Sequence, residues 1–159
     1  MTTTTEQQPT VPAPAQRVAF LKVAEDVYQA MVQATKAAQA GFDPALAELV
    51  KIRASMINGC AFCIDMHVTE ARRAGEAEHR IHALSAWRET PYYTARERAG
   101  LALAESVTLL TEGHVPDAVH QEAARHFDEN ELARLISITA TINAWNRIAV
   151  ASRLSPAPK

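Results

Sequence analysis

From Arg17 to Leu154 the apolar residues of this chain recur at intervals of three and four, alanine is abundant, and no apolar–polar alternation lasts more than a few residues. That spacing is the period of an amphipathic helix rather than of a half-buried strand, and it predicts an all-α fold. Breakers divide the pattern. One helix is expected over Val23–Gln39, ended by Gly41, and a second opens with Asp43 as cap and Pro44 in the first helical position and runs to Ile57. Asn58 and Gly59 interrupt it, a third helix covers Cys60–Ala74 before Gly75, and a short fourth covers Glu76–Ser85. Thr94 and Glu97 form a capping box ahead of a stripe of Ala99, Ala102, Leu103, Ser106, Leu109 and Leu110, predicting a helix over Thr94–Leu110. Pro116–His126 reads as a shorter helix, and Asp128 with Glu131 caps a long last one that reaches Arg153. That last helix carries Leu132, Leu135, Ile136, Ile138, Ile142, Trp145, Ile148 and Val150, more than one face can hold, so it is either central to the core or pressed against another subunit.

Residues 1–16 are Thr, Gln and Pro with almost no apolar content and are expected to be a flexible tail; 17–154 form one helical domain, and 155–159 a second tail. With 48% hydrophobic and 21% charged residues the chain can bury a core of ordinary size. Sixteen basic against eighteen acidic residues, without a run of Lys or Arg, argue against nucleic acid as a partner. No apolar stretch approaches the ~20 residues of a bilayer span, so no membrane partner is expected. The start MTTTTEQQPTVPAPAQ has neither the basic nor the apolar region of a signal peptide, and a cytoplasmic protein is expected.

That expectation gives the cysteines meaning. The chain has two, both within NGCAFCIDMH at 58–67. In a reducing compartment a close thiol pair is more often redox-catalytic or metal-binding than a staple. At about 100° per residue, Cys60, Cys63 and His67 fall within a stripe of roughly 60°, while Asp65 points roughly 140° away from Cys60. Both thiols lie at the start of a helix, where unpaired amides and the dipole favour a thiolate. Oxidised to a sulfenic acid by an electrophilic oxygen, one thiol can then be closed to a disulfide by the other. His67 is placed to take a proton from Cys63, and a carboxylate behind it would fix its tautomer. Two carboxylates compete: Glu70, three residues on, and Glu48, on the strongly apolar preceding helix, where burial would raise its pKa toward that of a base.

Glu48, eleven intervening residues, Cys60-Ala61-Phe62-Cys63, three more and His67, set in ELVKIRASMINGCAFCIDMH, resemble the core signature of the AhpD-like alkylhydroperoxidases of the carboxymuconolactone decarboxylase superfamily. WRETPYYTARERAGLALAE and ISITATINAWNRIAVASRL extend the resemblance over most of 17–154. It implies a thiol-dependent peroxidase reducing hydrogen peroxide or organic hydroperoxides, with Cys63 attacking, Cys60 resolving and meeting a dithiol reductant such as a lipoyl-protein or a thioredoxin, and Glu48 and His67 relaying a proton. It also implies an AhpD-like helical bundle in symmetric trimers or hexamers, with no haem, metal or other cofactor. One position departs: the best-known members carry a second histidine where this chain has Phe62, which implies lower peroxidase turnover and motivates an alternative, a redox sensor or partner-binding protein. Superfamily members that decarboxylate carboxymuconolactone lack the cysteine pair, which argues against that reaction.

Other candidates read more simply. Cys60, Cys63, His67 and a carboxylate could number four zinc ligands, but three would come from one helix without a second knuckle. His79, His82, His114, His120 and His126 fit a solvated surface. Trp87, Tyr92 and Tyr93 could wall a pocket but fit packing, Asn143 and Asn146 could orient a substrate but fit satisfied buried groups or a subunit contact, and Arg53 could stabilise a thiolate but fits a buried pair with a carboxylate.

Overall fold

The computed structural model describes residues 11–157, and these form eight α-helices and one 3-10 helix with no strand. The expected tails lie partly outside the described residues; 11–16 are exposed and without regular structure.

The helix that organises the molecule is α3, Pro44–Ile57. Asp43 Oδ1 accepts from the amides of Ala45 at 2.9 Å and Leu46 at 3.3 Å, so the cap and the following proline act as their sequence indicates. Leu46, Leu49, Val50, Ile52 and Ala54 are each almost fully buried around its circumference. Each of the larger ones contributes on the order of 1.5–3 kcal/mol of burial, and a helix so covered has to lie inside. Packed on it are α4 (Ala61–Arg73), α6 (Ala95–Thr108) and α8 (Glu129–Ser152). One part of the core joins α3, α6 and α8 through Leu46, Val50, Leu103, Leu135 and Ile138, with Phe42 stacked on Phe127. A second, built on Leu49, Ile52, Leu84, Trp87 and Leu101, lies under α5 (Glu78–Ala83) and the 3-10 helix at Leu84–Glu89. Short α7, Asp117–Ala124, closes one side.

Several boundaries differ from the expectation, three of them with consequences for packing. The first helix is interrupted at Ala24 (φ −128°, ψ 53°) into α1, Phe20–Val23, and α2, Glu25–Gln39. Upstream, the Arg17 amide donates to Ser152 O at 2.9 Å, which ties the approach to α1 to the end of α8. The fourth helix stops at Ala83 and tightens to 3-10 geometry, which sets Leu84 and Trp87 on one buried face. Cys60 is the cap of α4 rather than its first residue. The long last helix is central on one face and exposes Ile136 and Val150 on the other.

Candidate functional site

The turn between α3 and α4 fixes the site. Gly59 takes φ +65°, a conformation costly for other residues, and lets the chain reverse so that the Cys60 amide donates back to Ser55 O at 3.0 Å. The same turn is tied to α8: Asn58 Nδ2 donates to Asn143 Oδ1 at 2.8 Å and Asn146 Oδ1 at 2.9 Å, while Asn146 Nδ2 donates to Ser55 Oγ at 3.0 Å. The two asparagines singled out in the sequence therefore satisfy buried polar groups, and those groups hold the cysteine turn.

Cys60 and Cys63 are joined in a disulfide with Cα atoms 5.4 Å apart, and each is 2% exposed. The Cys63 amide, in the first turn of α4, donates to Cys60 Sγ at 3.3 Å. The sulfurs thus sit at the positive end of the α4 dipole, as the spacing predicts. One turn on, His67 is buried, and its Nδ1 is 3.0 Å from Glu48 Oε2. Between the two carboxylates the structure selects Glu48: Glu70 is exposed and pairs with Arg73 at 2.7 Å. An Nδ1–H held by a carboxylate leaves Nε2 as the basic ring nitrogen.

The charge state of Glu48 runs against the sequence expectation. Burial does push its carboxyl up, but the hydrogen bonds from His67 and Lys51 outweigh burial and hold it below the ordinary carboxylate value. Lys51 Nζ lies 2.5 Å from Glu48 Oε1 and 3.1 Å from Gln39 Oε1. Glu48 therefore keeps its negative charge beside the imidazole. Lys51 is the residue sequence reasoning missed, although it follows Glu48 at the i,i+3 spacing of a helical ion pair.

Cys63 and His67 open onto a cavity of about 280 Å³ between α2, α4 and α8. Its walls include Leu21, Tyr28, Phe62, Met66, Ile142 and Trp145, and Cys60 is not among them. Trp145 is held in place by an edge contact with Tyr28 and by donation from Nε1 to Thr35 Oγ1 at 2.9 Å. Phe62 is half-buried on this wall.

The remaining candidates stand elsewhere. Arg53 donates to Glu105 Oε1 at 2.7 Å, in a cluster that also holds Trp87 and Arg88, and does not line the cavity. His79, His82, His114 and His120 are exposed and His126 is half-buried beside Glu122. Tyr93 is buried with its hydroxyl donating to Arg80 O, while Tyr92 is exposed against His79. Among the described residues no group of three or more His, Cys, Asp and Glu side chains could hold a metal ion, and no helix is long and apolar enough to cross a membrane.

Residues 24–106 match the model of the carboxymuconolactone decarboxylase family. Over 138 residues the chain is 41% identical to the uncharacterized protein YdfG of Bacillus subtilis (strain 168), covering 86% of this chain and 94% of that one. A solved structure from Agrobacterium tumefaciens, of a protein of unknown function named a candidate antioxidant-defence protein AhpD, superposes with a TM-score of 0.87 at 38% identity, over 91% of this chain and all of that one. The debrominase Bmp8 superposes with a TM-score of 0.75 over 84% of this chain and 73% of its own; at 22% identity that likeness concerns the fold alone.

Proposed function

The chain belongs to the carboxymuconolactone decarboxylase family, in its AhpD-like group, and from that premise we propose that it is a thiol-dependent peroxidase. The observation that carries the reading is that Cys63 and His67 share the wall of one apolar cavity while Cys60 stands behind, within bonding distance of Cys63. In the reduced protein His67 Nε2 takes the Cys63 proton. The thiolate attacks the terminal oxygen of a hydroperoxide, the O–O bond breaks, and the leaving alkoxide takes up that proton as an alcohol. Cys63 is left as a sulfenic acid. The Cys60 sulfur attacks it, water leaves, and the disulfide forms; an external dithiol of lipoyl or thioredoxin type returns both sulfurs to thiols. No haem or metal takes part in this cycle.

Assembly into a symmetric oligomer, a trimer or hexamer, belongs to the same proposal, and the exposed Ile136 and Val150 on the outer face of α8 are surface suited to it. Sedimentation of the purified chain measures it directly.

The deciding experiment follows Cys63 by mass spectrometry in Cys60→Ser protein treated with one equivalent of cumene hydroperoxide and dimedone. A dimedone adduct on Cys63, together with the loss of both thiols in the parent protein, is the expected result; an unmodified Cys63 removes the reading.

Phe62 favours a second reading. Between the cysteines it offers no proton and fills part of the cavity wall, so the dithiol would sense oxidant once instead of turning over. Sustained hydroperoxide consumption with dihydrolipoamide or thioredoxin separates the two, since a sensor stalls after one equivalent.

A further inference from the structure

The cavity describes its ligand more narrowly than the reaction does. Its walls are overwhelmingly apolar, and none of the residues lining it is Asp or Glu. Two ammonium groups do line it, Lys51 and Lys36. They are not equivalent. Lys51 is 5% exposed, and its charge is engaged by Glu48 Oε1 at 2.5 Å and by Gln39 at 3.1 Å. Lys36, on α2 directly after the Thr35 that holds Trp145, is exposed, and among the described residues no carboxylate or hydrogen-bond acceptor engages its ammonium. A lysine in such a place lays its methylene stem along the apolar wall and keeps its head at the solvent edge. The result is an apolar chamber with a reactive sulfur on the α4 wall and an uncompensated positive charge on the α2 rim.

A ligand complementary to that chamber is amphipathic. We propose that the substrate class is a hydroperoxide with an apolar body and a carboxylate head, the body lying against Phe62, Met66 and Trp145, the carboxylate pairing with Lys36, and the hydroperoxide group meeting Cys63. This rests on the peroxidase reading above and adds the head group to it. Water competes for an ammonium at a rim, so the pair is worth about fivefold in affinity, equivalent to about 1 kcal/mol, and not the much larger effect of a buried pair.

The test compares para-carboxycumene hydroperoxide with its carboxamide, which has the same shape without the charge. In parallel, calorimetric binding of para-isopropylbenzoate and para-isopropylbenzamide to the oxidised protein needs no turnover. The expected carboxylate-to-amide ratio is about five in kcat/KM and in binding at low salt, about one in Lys36→Gln, and below one in Lys36→Glu. A ratio near one in the parent protein overturns the proposal, as does a preference for the carboxylate that survives Lys36→Gln. If neither hydroperoxide is consumed, the peroxidase reading is the one that fails, and the binding ratio still decides whether the cavity selects a carboxylate.

Discussion

His67 Nδ1 and Glu48 Oε2 lie 3.0 Å apart across the α3–α4 junction, and the second oxygen of the same carboxylate lies 2.5 Å from Lys51 Nζ. Glu48 therefore has two tasks at once: it fixes the imidazole tautomer and it balances a buried ammonium. Replacing it by glutamine keeps the shape and removes the charge that favours an imidazolium. The rate at which Cys63 is alkylated at pH 7 in reduced Cys60→Ser protein is expected to fall about 10²-fold, within the range of general-base contributions. Adding His67→Ala to that variant should cost little more, because the two residues act as one unit. Stopped-flow labelling with a fluorogenic alkylating agent measures both.

Lys51→Met tests the other half of the chain. Burial pushes the Glu48 carboxyl up, and His67 and Lys51 together hold it down. Without the ammonium, burial is opposed by the imidazole alone, and the carboxyl pKa rises. A carboxyl depressed in the folded state favours folding fully above its ordinary value of 4.5 and loses that contribution as pH falls through the folded pKa. In Lys51→Met the folded pKa moves toward the unfolded one, so less of that contribution is present to be lost. The acid limb of Cys63 reactivity is expected to move to higher pH, because the carboxyl that favours the charged imidazole is then protonated more easily. A pH profile of alkylation from 4 to 9 reads the shift.

Much of this arrangement was legible in the chain, and the parts that were not have physical causes. Caps written in local residues, Asp43 with Pro44, Thr94 with Glu97, and Asp128 with Glu131, mark helix starts because a cap is satisfied within four residues. The stripe of Cys60, Cys63 and His67 is legible for the same reason. The choice of Glu48 over Glu70 was not: both are sterically able to approach His67, and only the packing of α3 on α4 decides. The direction of the Glu48 shift was missed because burial can be read from an apolar neighbourhood while the counter-charge of Lys51 depends on which way its side chain turns. The break at Ala24 carries no glycine or proline to announce it. The α2 wall of the cavity, with Tyr28 and Lys36, exists only once α2 lies on α8.

Asn146 is fully buried, and its amide serves Ser55 and Asn58 together. Asn146→Ala leaves the Ser55 hydroxyl and part of the Asn58 amide without partners at the turn that carries Cys60. A buried unsatisfied group costs about 1–3 kcal/mol, so the variant should be about 2 kcal/mol less stable in urea. The same variant should lower the protection of the Cys60 amide in hydrogen exchange more than that of amides in α6, because the lost bonds are local to the α3–α4 turn.

Glu105 gives the fold a pH signature of its own. Its Oε1 accepts from Arg53 Nε at 2.7 Å and Trp87 Nε1 at 2.8 Å, and its Oε2 accepts from Arg88. Burial pushes this carboxyl up, yet the bonds from Trp87, Arg88 and Arg53 outweigh it and leave the pKa below the ordinary 4.5. The stabilisation it provides is complete above 4.5 and is lost as pH falls through the depressed folded value. Glu105→Gln keeps the volume but faces two guanidinium groups with a neutral amide. Breaking a fully buried pair costs about 3–5 kcal/mol, and because Arg88 reaches solvent a loss of about 2 kcal/mol is expected here at pH 7. With a urea dependence of about 1–3 kcal/mol per molar, the midpoint should drop by about 1 M. Below 4.5 the unfolded carboxyl takes up a proton that the folded one resists, so the gap between parent and variant should narrow as the pH falls to 3. Paired urea titrations at pH 7 and pH 3 check the sign, and a gap that widens toward acid would contradict the assignment of Glu105 as an ionised anchor of the two arginines.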